Sequence, residues 1–308
     1  MAVSVPKHKM PSERSLLLFS LWMGVMFTGL GISWGLAIHS GIILFDGIYS
    51  GFSIILSMMS IIALRMLGQP EDDNFQFGRM ALEPFVVALK SIVIICVCLY
   101  GVVTALIHIL TGGLESTSSL LGMVYAAISI AACLFSWLYL KIRGKGMPTL
   151  VQAESEQWLI DTVFSSIVLL SFLVSYLLSF SRMDFVVPYV DPAMVILGSA
   201  YFVRIPLARF IHSLRELLLM APASDVQESL NQRIGCIAKA HGFNEARVRS
   251  AKIGRELTVD VAFIVPTDFG NVAIDQLDRI RTEVKDSLSE LDHQLWMNIQ
   301  FTNDRQWS

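Results

Sequence analysis

Charge is what this 308-residue chain has least of. Asp, Glu, Lys and Arg make up 16% of it, against 54% hydrophobic residues. A soluble globular chain carries about a quarter charged residues, so an ordinary soluble protein is excluded for most of the length. No Lys/Arg-rich run occurs and the net charge is −3, so the electrostatic footprint of a nucleic-acid binder is missing. The four cysteines, Cys96, Cys98, Cys133 and Cys236, make no CxxC pair, and three lie in apolar runs; they read as packing residues. There is no nucleophile–base pair, phosphate loop or cofactor motif, so neither an enzyme nor a bound cofactor is expected. The opening MAVSVPKHKMPSERS is basic but has no small-residue cleavage site before the first apolar run, so the first helix is expected to stay.

What the chain does have is long apolar segments. A helix needs about 20 mostly apolar residues to cross a bilayer, and six segments qualify: 15–38, 41–64, 81–110, 119–140, 150–180 and 185–211. The third and fifth exceed the hydrocarbon thickness, so their polar N-terminal ends are expected to project into water. Basic residues fall on one side of this arrangement: Lys7, Lys9 and Arg14, then Arg65 and Arg79, then Lys141, Arg143 and Lys145. The opposite side has only Arg182. By the positive-inside rule both termini are cytoplasmic, in a multi-pass protein of the cell (inner) membrane. The expected organisation is a cytoplasmic N-terminal tail, 1–14, a six-helix transmembrane domain, 15–212, and a water-soluble cytoplasmic domain, 213–308.

The soluble part reads α-β-β-α-β. SDVQESLNQRIGCIAKAHG has helical spacing, with Val226, Leu230, Ile234 and Ile237 on one stripe, Ser224 as N-cap and Gly242 as the stop. RVRSAKIG and ELTVDVAFIVP alternate as strands joined near Gly254. NVAIDQLDRIRTEVKDSLSEL is helical, with Ile274, Leu277, Ile280, Val284 and Leu288 inward, and LWMNIQFTN is a last strand. Under 100 residues gives a modest core, which dimerisation would help to stabilise.

Polar residues inside the apolar spans carry the functional signal. A carboxylate at mid-membrane costs about 2.5–3.5 kcal/mol on insertion scales, so such residues face the bundle interior and usually serve function. Asp46 and Ser50 lie four apart in the second span, and Gln157 and Asp161 repeat that spacing in the fifth. Residues four apart share one helical face, so two polar pairs on two helices can enclose one ion. Glu154 adds a further turn on the same face, as a vestibule residue or proton relay. The donors are carboxylate, amide and hydroxyl oxygens. That set suits Mn²⁺ or Mg²⁺ by ligand type, and carboxylates also bind Zn²⁺. Ser and Gln also hydrogen-bond between membrane helices for purely structural reasons. Lys90 stands alone in the third span, about six residues from its polar start. Either it pairs with a neighbouring carboxylate or its head reaches the cytoplasmic edge, and its position favours the second. Asp191 before Pro192 reads as a helix-start cap, and His39, His108 and His212 as interfacial residues.

Together these features resemble the cation diffusion facilitators, membrane exporters of divalent metals. The likeness rests on six helices with both ends inside and on the paired polar residues of spans two and five. It rests further on PEDDNFQFGRMALE between spans two and three, on VDP opening the sixth span, and on the αββαβ tail. It implies a homodimer that moves a divalent cation, Zn, Mn, Co, Cd or Fe, out of the cytosol against protons. It also implies a ferredoxin-like, metallochaperone-like tail and a metal site of Asp46, Ser50, Gln157 and Asp161. The chain departs from that family where zinc exporters place histidine, since Ser50 and Gln157 cannot titrate near neutral pH. Proton coupling would then run through Asp46, Asp161 or Glu154. The family's loop metal site keeps Asp72 but has Phe75 and Arg79 at its His positions, so its loss is expected. The tail has only His241 and His293, with Gln300 and Thr302 where a metal motif would end, so it is expected to dimerise and not to sense metal. The other reading is a non-transporting scaffold or regulatory partner of an active relative, against which the lipid-buried Asp46 and Asp161 weigh.

Overall fold

The computed structural model describes residues 10–37, 41–69, 72–113, 120–147, 149–179, 184–267, 269–270, 272–289 and 294–307. The side chains of 41–49, Asp46 among them, and of Asp191 lie outside the described residues, as do His39 and His293. The chain divides into two compact units, one ending at Ser213 and the other beginning at Leu214.

The first unit is helical throughout: α1 (Met10–Ala37), α2 (Gly41–Leu67), α3 (Leu82–Leu110), α4 (Leu120–Arg143), α5 (Thr149–Ser179), α6 (Val187–Phe202) and α7 (Arg204–Leu217). Among the described residues five helical stretches are long and apolar enough to cross a membrane: Glu13–Ala37, Ser50–Leu67, Leu82–Leu110, Gly122–Arg143 and Val187–Leu217. The N-terminal half of α5 is polar, with Glu154, Glu156, Gln157 and Asp161. The apolar segment expected as one helix over 185–211 is broken at Val203 into α6 and α7. Pro206 explains the break. It has no N–H to offer the Phe202 carbonyl, and its ring crowds that oxygen.

Helices α1 and α2, α4 and α5, and α3 and α6 form the closest pairs. The buried apolar residues gather at one end of the bundle. Leu16 and Leu17 come from the start of α1, Leu64 and Leu67 from the end of α2, and Val86 and Val87 from the start of α3. Leu140 ends α4, and Leu150 and Val151 start α5. Because successive helices alternate in direction, all these positions share one layer, which is dry and tightly filled. Gly198 lets α6 approach α5 where a Cβ would overlap the side chain of Ile167.

The second unit runs α8 (Ser224–Ala240), β1 (Glu245–Ile253), β2 (Glu256–Ile264), α9 (Ile274–Leu288) and β3 (Gln294–Thr302). Strand β2 is central, antiparallel to β1 and parallel to β3. The β1–β2 turn has two residues, Gly254 and Arg255, and Gly254 takes φ +57°, as a tight primed turn requires at that place. Alternate β2 residues Leu257, Val259, Val261 and Phe263 are fully buried against Leu230 and Ile234 of α8 and Val284 and Leu288 of α9. Two local expectations fail. Ser224 is not the cap but the first helical residue, with Ala223 in the cap position and no side-chain cap bond. Ile274, expected inward, is 72% exposed. It is the first residue of α9, one turn beyond the part of the stripe that meets the sheet.

Gly198→Val is expected to destabilise the first unit by about 1–3 kcal/mol through overpacking against Ile167. Thermal unfolding of the purified full chain in detergent checks this, and an unchanged midpoint contradicts the close approach.

Candidate functional site

The serines of α2 recur every three or four residues, at Ser50, Ser53, Ser57 and Ser60, and so occupy one face. Glu154, Gln157 and Asp161 do the same on α5. Two tiers of contact join these faces. Gln157 donates through Nε2 to Ser53 Oγ at 2.8 Å. Glu154 accepts from Ser57 Oγ at 2.8 Å and Ser60 Oγ at 3.2 Å. Falling numbers on α2 thus meet rising numbers on α5, so the helices run antiparallel along the seam. One step further, the same register sets Ser50 level with Asp161. Ser50 is buried and Asp161 half-buried. Asp46 is the next turn of α2, with its side chain outside the described residues.

Gln157 is 7% exposed, and its carbonyl oxygen Oε1 is buried with no hydrogen-bond partner among the described residues. Leaving a buried acceptor unsatisfied costs about 1–3 kcal/mol. The amide is pinned on its donor side by Ser53, and its acceptor side is left open beside Asp161. Hydroxyl, amide carbonyl and carboxylate oxygens are donors of the type that hard cations take.

One turn away lies a polar cluster that the sequence does not announce. Glu154 is 1% exposed and accepts four hydrogen bonds. Ser20 Oγ of α1 reaches Oε2 at 2.6 Å, beside Ser57, and Lys90 of α3 donates to Oε1 beside Ser60. Trp158 Nε1 donates in turn to Ser20 Oγ at 2.8 Å. Lys90 therefore does not extend to a cytoplasmic edge. It is 3% exposed and ion-paired with Glu154. Its depth along α3 places it opposite a buried carboxylate, and a buried charge with such a partner gains more by pairing than by extending. Glu154, expected as a vestibule or relay residue, sits in this closed cluster. Ser20, Ser57, Ser60 and Trp158 were not singled out from the sequence. The three-and-four spacing of serines on α2 was the available signal.

Outside the spans, the 2–3 loop is organised by its own ion pair. Arg79 Nη2 lies 2.5 Å from Asp72 Oδ2, and the guanidinium sits 4.5 Å from the centre of the Phe75 ring. The Phe75 and Asn74 N–H groups donate to Asp72 Oδ1 at 2.9 and 3.1 Å. Lost hydration pushes the Asp72 carboxyl up. The Phe75 N–H, the Arg79 guanidinium and the Asn74 N–H outweigh it, and the pKa lies below the ordinary carboxylate value. The three positions where the resemblance would place a metal are thus occupied by a carboxylate, a ring and a protein cation. In the second unit His241 pairs with Glu283 at 2.8 Å and stacks on Phe243. Among the described residues no three His, Cys, Asp or Glu side chains gather as a metal cage.

A family model described as the cation efflux transmembrane domain matches residues 17–218. No curated protein matches the chain.

Because its folded pKa is depressed, Asp72 contributes order to the loop above the ordinary carboxylate pKa and loses it as pH falls through the lowered value. A carboxyl titration followed by NMR should give a midpoint below about 3.9. Arg79→Gln should move that midpoint upward, and an unmoved midpoint contradicts the pairing.

Proposed function

The chain belongs to the cation efflux family and is a multi-pass membrane cation transporter, and on that premise we propose that it exports a divalent metal cation from the cytosol through a site between α2 and α5. Asp46 and Asp161 carry the charge of the cargo, and Gln157 and Ser50 complete its coordination. Two carboxylates against a doubly positive ion approach neutrality, which makes the buried charge tolerable. The observation that carries this reading is Gln157. Its amide is fixed to α2 through Ser53 while its carbonyl oxygen is buried, with no hydrogen-bond partner among the described residues, one turn from Asp161. The oxygen-only ligand set favours harder ions such as Mn²⁺, with Zn²⁺, Co²⁺, Cd²⁺ and Fe²⁺ as candidates. Without a histidine in the site, coupling to protons falls to the carboxylates Asp46, Asp161 or Glu154.

We place six spans in the cell membrane, α5 included, with both termini cytoplasmic. The second unit we take as a ferredoxin-like module through which two copies dimerise. A unit of its size gains from added buried surface.

Purified protein in proteoliposomes, tested across Zn²⁺, Mn²⁺, Co²⁺, Cd²⁺ and Fe²⁺ with an internal pH dye, tests the proposal. Asp161→Ala should abolish metal-dependent flux, and full transport by that variant contradicts the site. Gln157→Ala removes one neutral ligand and should weaken cargo affinity on the order of tenfold, about 1.4 kcal/mol. Flux by the purified chain alone also excludes the non-transporting scaffold, whereas none with any ion supports it.

A further inference from the structure

A buried carboxylate has about four acceptor positions, and in Glu154 all four are filled. Ser20 and Ser57 occupy Oε2, and Ser60 and Lys90 occupy Oε1. The donors come from α1, α2 and α3, so the cluster fastens three helices to α5. It sits in the dry layer formed by the buried starts of α1, α3 and α5 and the buried ends of α2 and α4. The tier of Gln157 and Asp161 begins one turn further along α5. Glu154, which has no acceptor position left, stands one turn from that tier toward the start of α5.

Three of the four donors are hydroxyls, which can rotate in place and present an oxygen lone pair instead of a proton. The fourth is an ammonium on a flexible stem, and an ammonium cannot become a ligand. Lys90 also lines a small crevice between α3, α5 and α7 that holds Glu156 and Arg209. There Arg209 Nε donates to both Glu156 oxygens at 2.9 and 2.8 Å. Lys90 thus shares a crevice with a second carboxylate, Glu156, which is paired with Arg209.

We propose that Lys90 is a tethered competitor of the cargo. It latches this end of the bundle by holding Glu154, and a divalent cation opens the latch by taking its place on the carboxylate. The charged groups around the exchange are Lys90 of α3, Glu154 and Glu156 of α5, and Arg209 of α7. On release Lys90 turns toward Glu156, while the hydroxyls of Ser20, Ser57 and Ser60 turn their oxygens to the ion. Lys90 thus sets affinity and access without being a ligand. The inference rests on the divalent-cargo reading, but not on Asp161 being the principal ligand.

The test is Mn²⁺ binding to the purified full chain, followed by electron paramagnetic resonance. Lys90→Gln should bind Mn²⁺ at least about tenfold more tightly, or bind an additional ion. Lys90→Gln combined with Glu154→Gln should lose that gain. A Lys90→Gln isotherm that overlays wild type overturns the latch. If Lys90→Gln fails to fold without metal, wild type decides: amine labelling of Lys90, read by mass spectrometry, should rise as Mn²⁺ saturates. Labelling that stays flat under saturating Mn²⁺ overturns the proposal. Asp161→Asn separates the two readings. If it leaves Mn²⁺ binding intact while Lys90→Gln still tightens it, the principal site is wrong and the latch stands. If it abolishes binding in wild type while Lys90→Gln changes nothing, the site stands and the latch is wrong.

Discussion

The constraint on which the first unit depends is that a carboxylate in a dry helical bundle must have every lone pair answered. Glu154 is such a carboxylate, at 1% exposure. Taking an ion pair out of water costs several kcal/mol per ion, and the attraction between the partners repays this only when the remaining hydrogen-bonding positions are also filled. Three serines from two helices and a lysine from a third do this. The cluster is therefore weak evidence for stability but strong evidence for specificity. It admits one register of α1, α2 and α3 against α5, because a slip of one residue turns the hydroxyls off the carboxylate. The same register carries Gln157 to Ser53 and sets Ser50 level with Asp161. The geometry of the proposed cargo tier follows from the register set by the neighbouring Glu154 tier.

Several buried or crowded carboxylates are met by the protein's own donors. Arg79 answers Asp72 in the loop, stacked on Phe75. Lys90 answers Glu154, and Arg209 answers Glu156. Glu83, fully buried at the start of α3, accepts from Thr149 Oγ1 at 2.7 Å. Gln157 is one of several residues with a buried polar atom that has no hydrogen-bond partner among the described residues, Thr28, Ser129 and Ser199 being others. Its oxygen is buried, it lies on the same face as two carboxylates, and no donor among the described residues is supplied to it. Native interiors rarely leave such a group orphaned.

The sequence showed most of the architecture because apolar length and period are local properties. The helices α1 to α5, the strand alternation of β1 and β2 and the inward stripe of α9 from Ile280 onward are set by residues a few positions apart. What it misjudged depended on a partner far along the chain or on an element's end. Lys90 looked like a residue reaching for the membrane edge because its carboxylate lies 64 positions away. Ser20, Ser57 and Ser60 looked ordinary because serine is common between membrane helices. The break at Val203 was legible in Pro206, two positions after Arg204, but the apolar run was read across it. For the proposed site, the spacing on α5 put Gln157 and Asp161 on one face. That one is tied to α2 and the other is half-buried required the fold.

Placing glutamine where related exporters carry histidine changes the physics of transport and not only the ligand count. An imidazole can bind metal and carry a proton near neutral pH, so loading and coupling can share one residue. An amide can bind but cannot titrate. In the proposed exchange of a metal ion for protons, the two tasks fall to different groups, the carboxylates taking the proton and the amide fixing geometry. The Glu154 cluster supplies a third element that such a division needs, a resident positive charge. When cargo is absent, Lys90 keeps one of the acidic side chains from standing bare in the interior, and the bundle can close without a proton at that position.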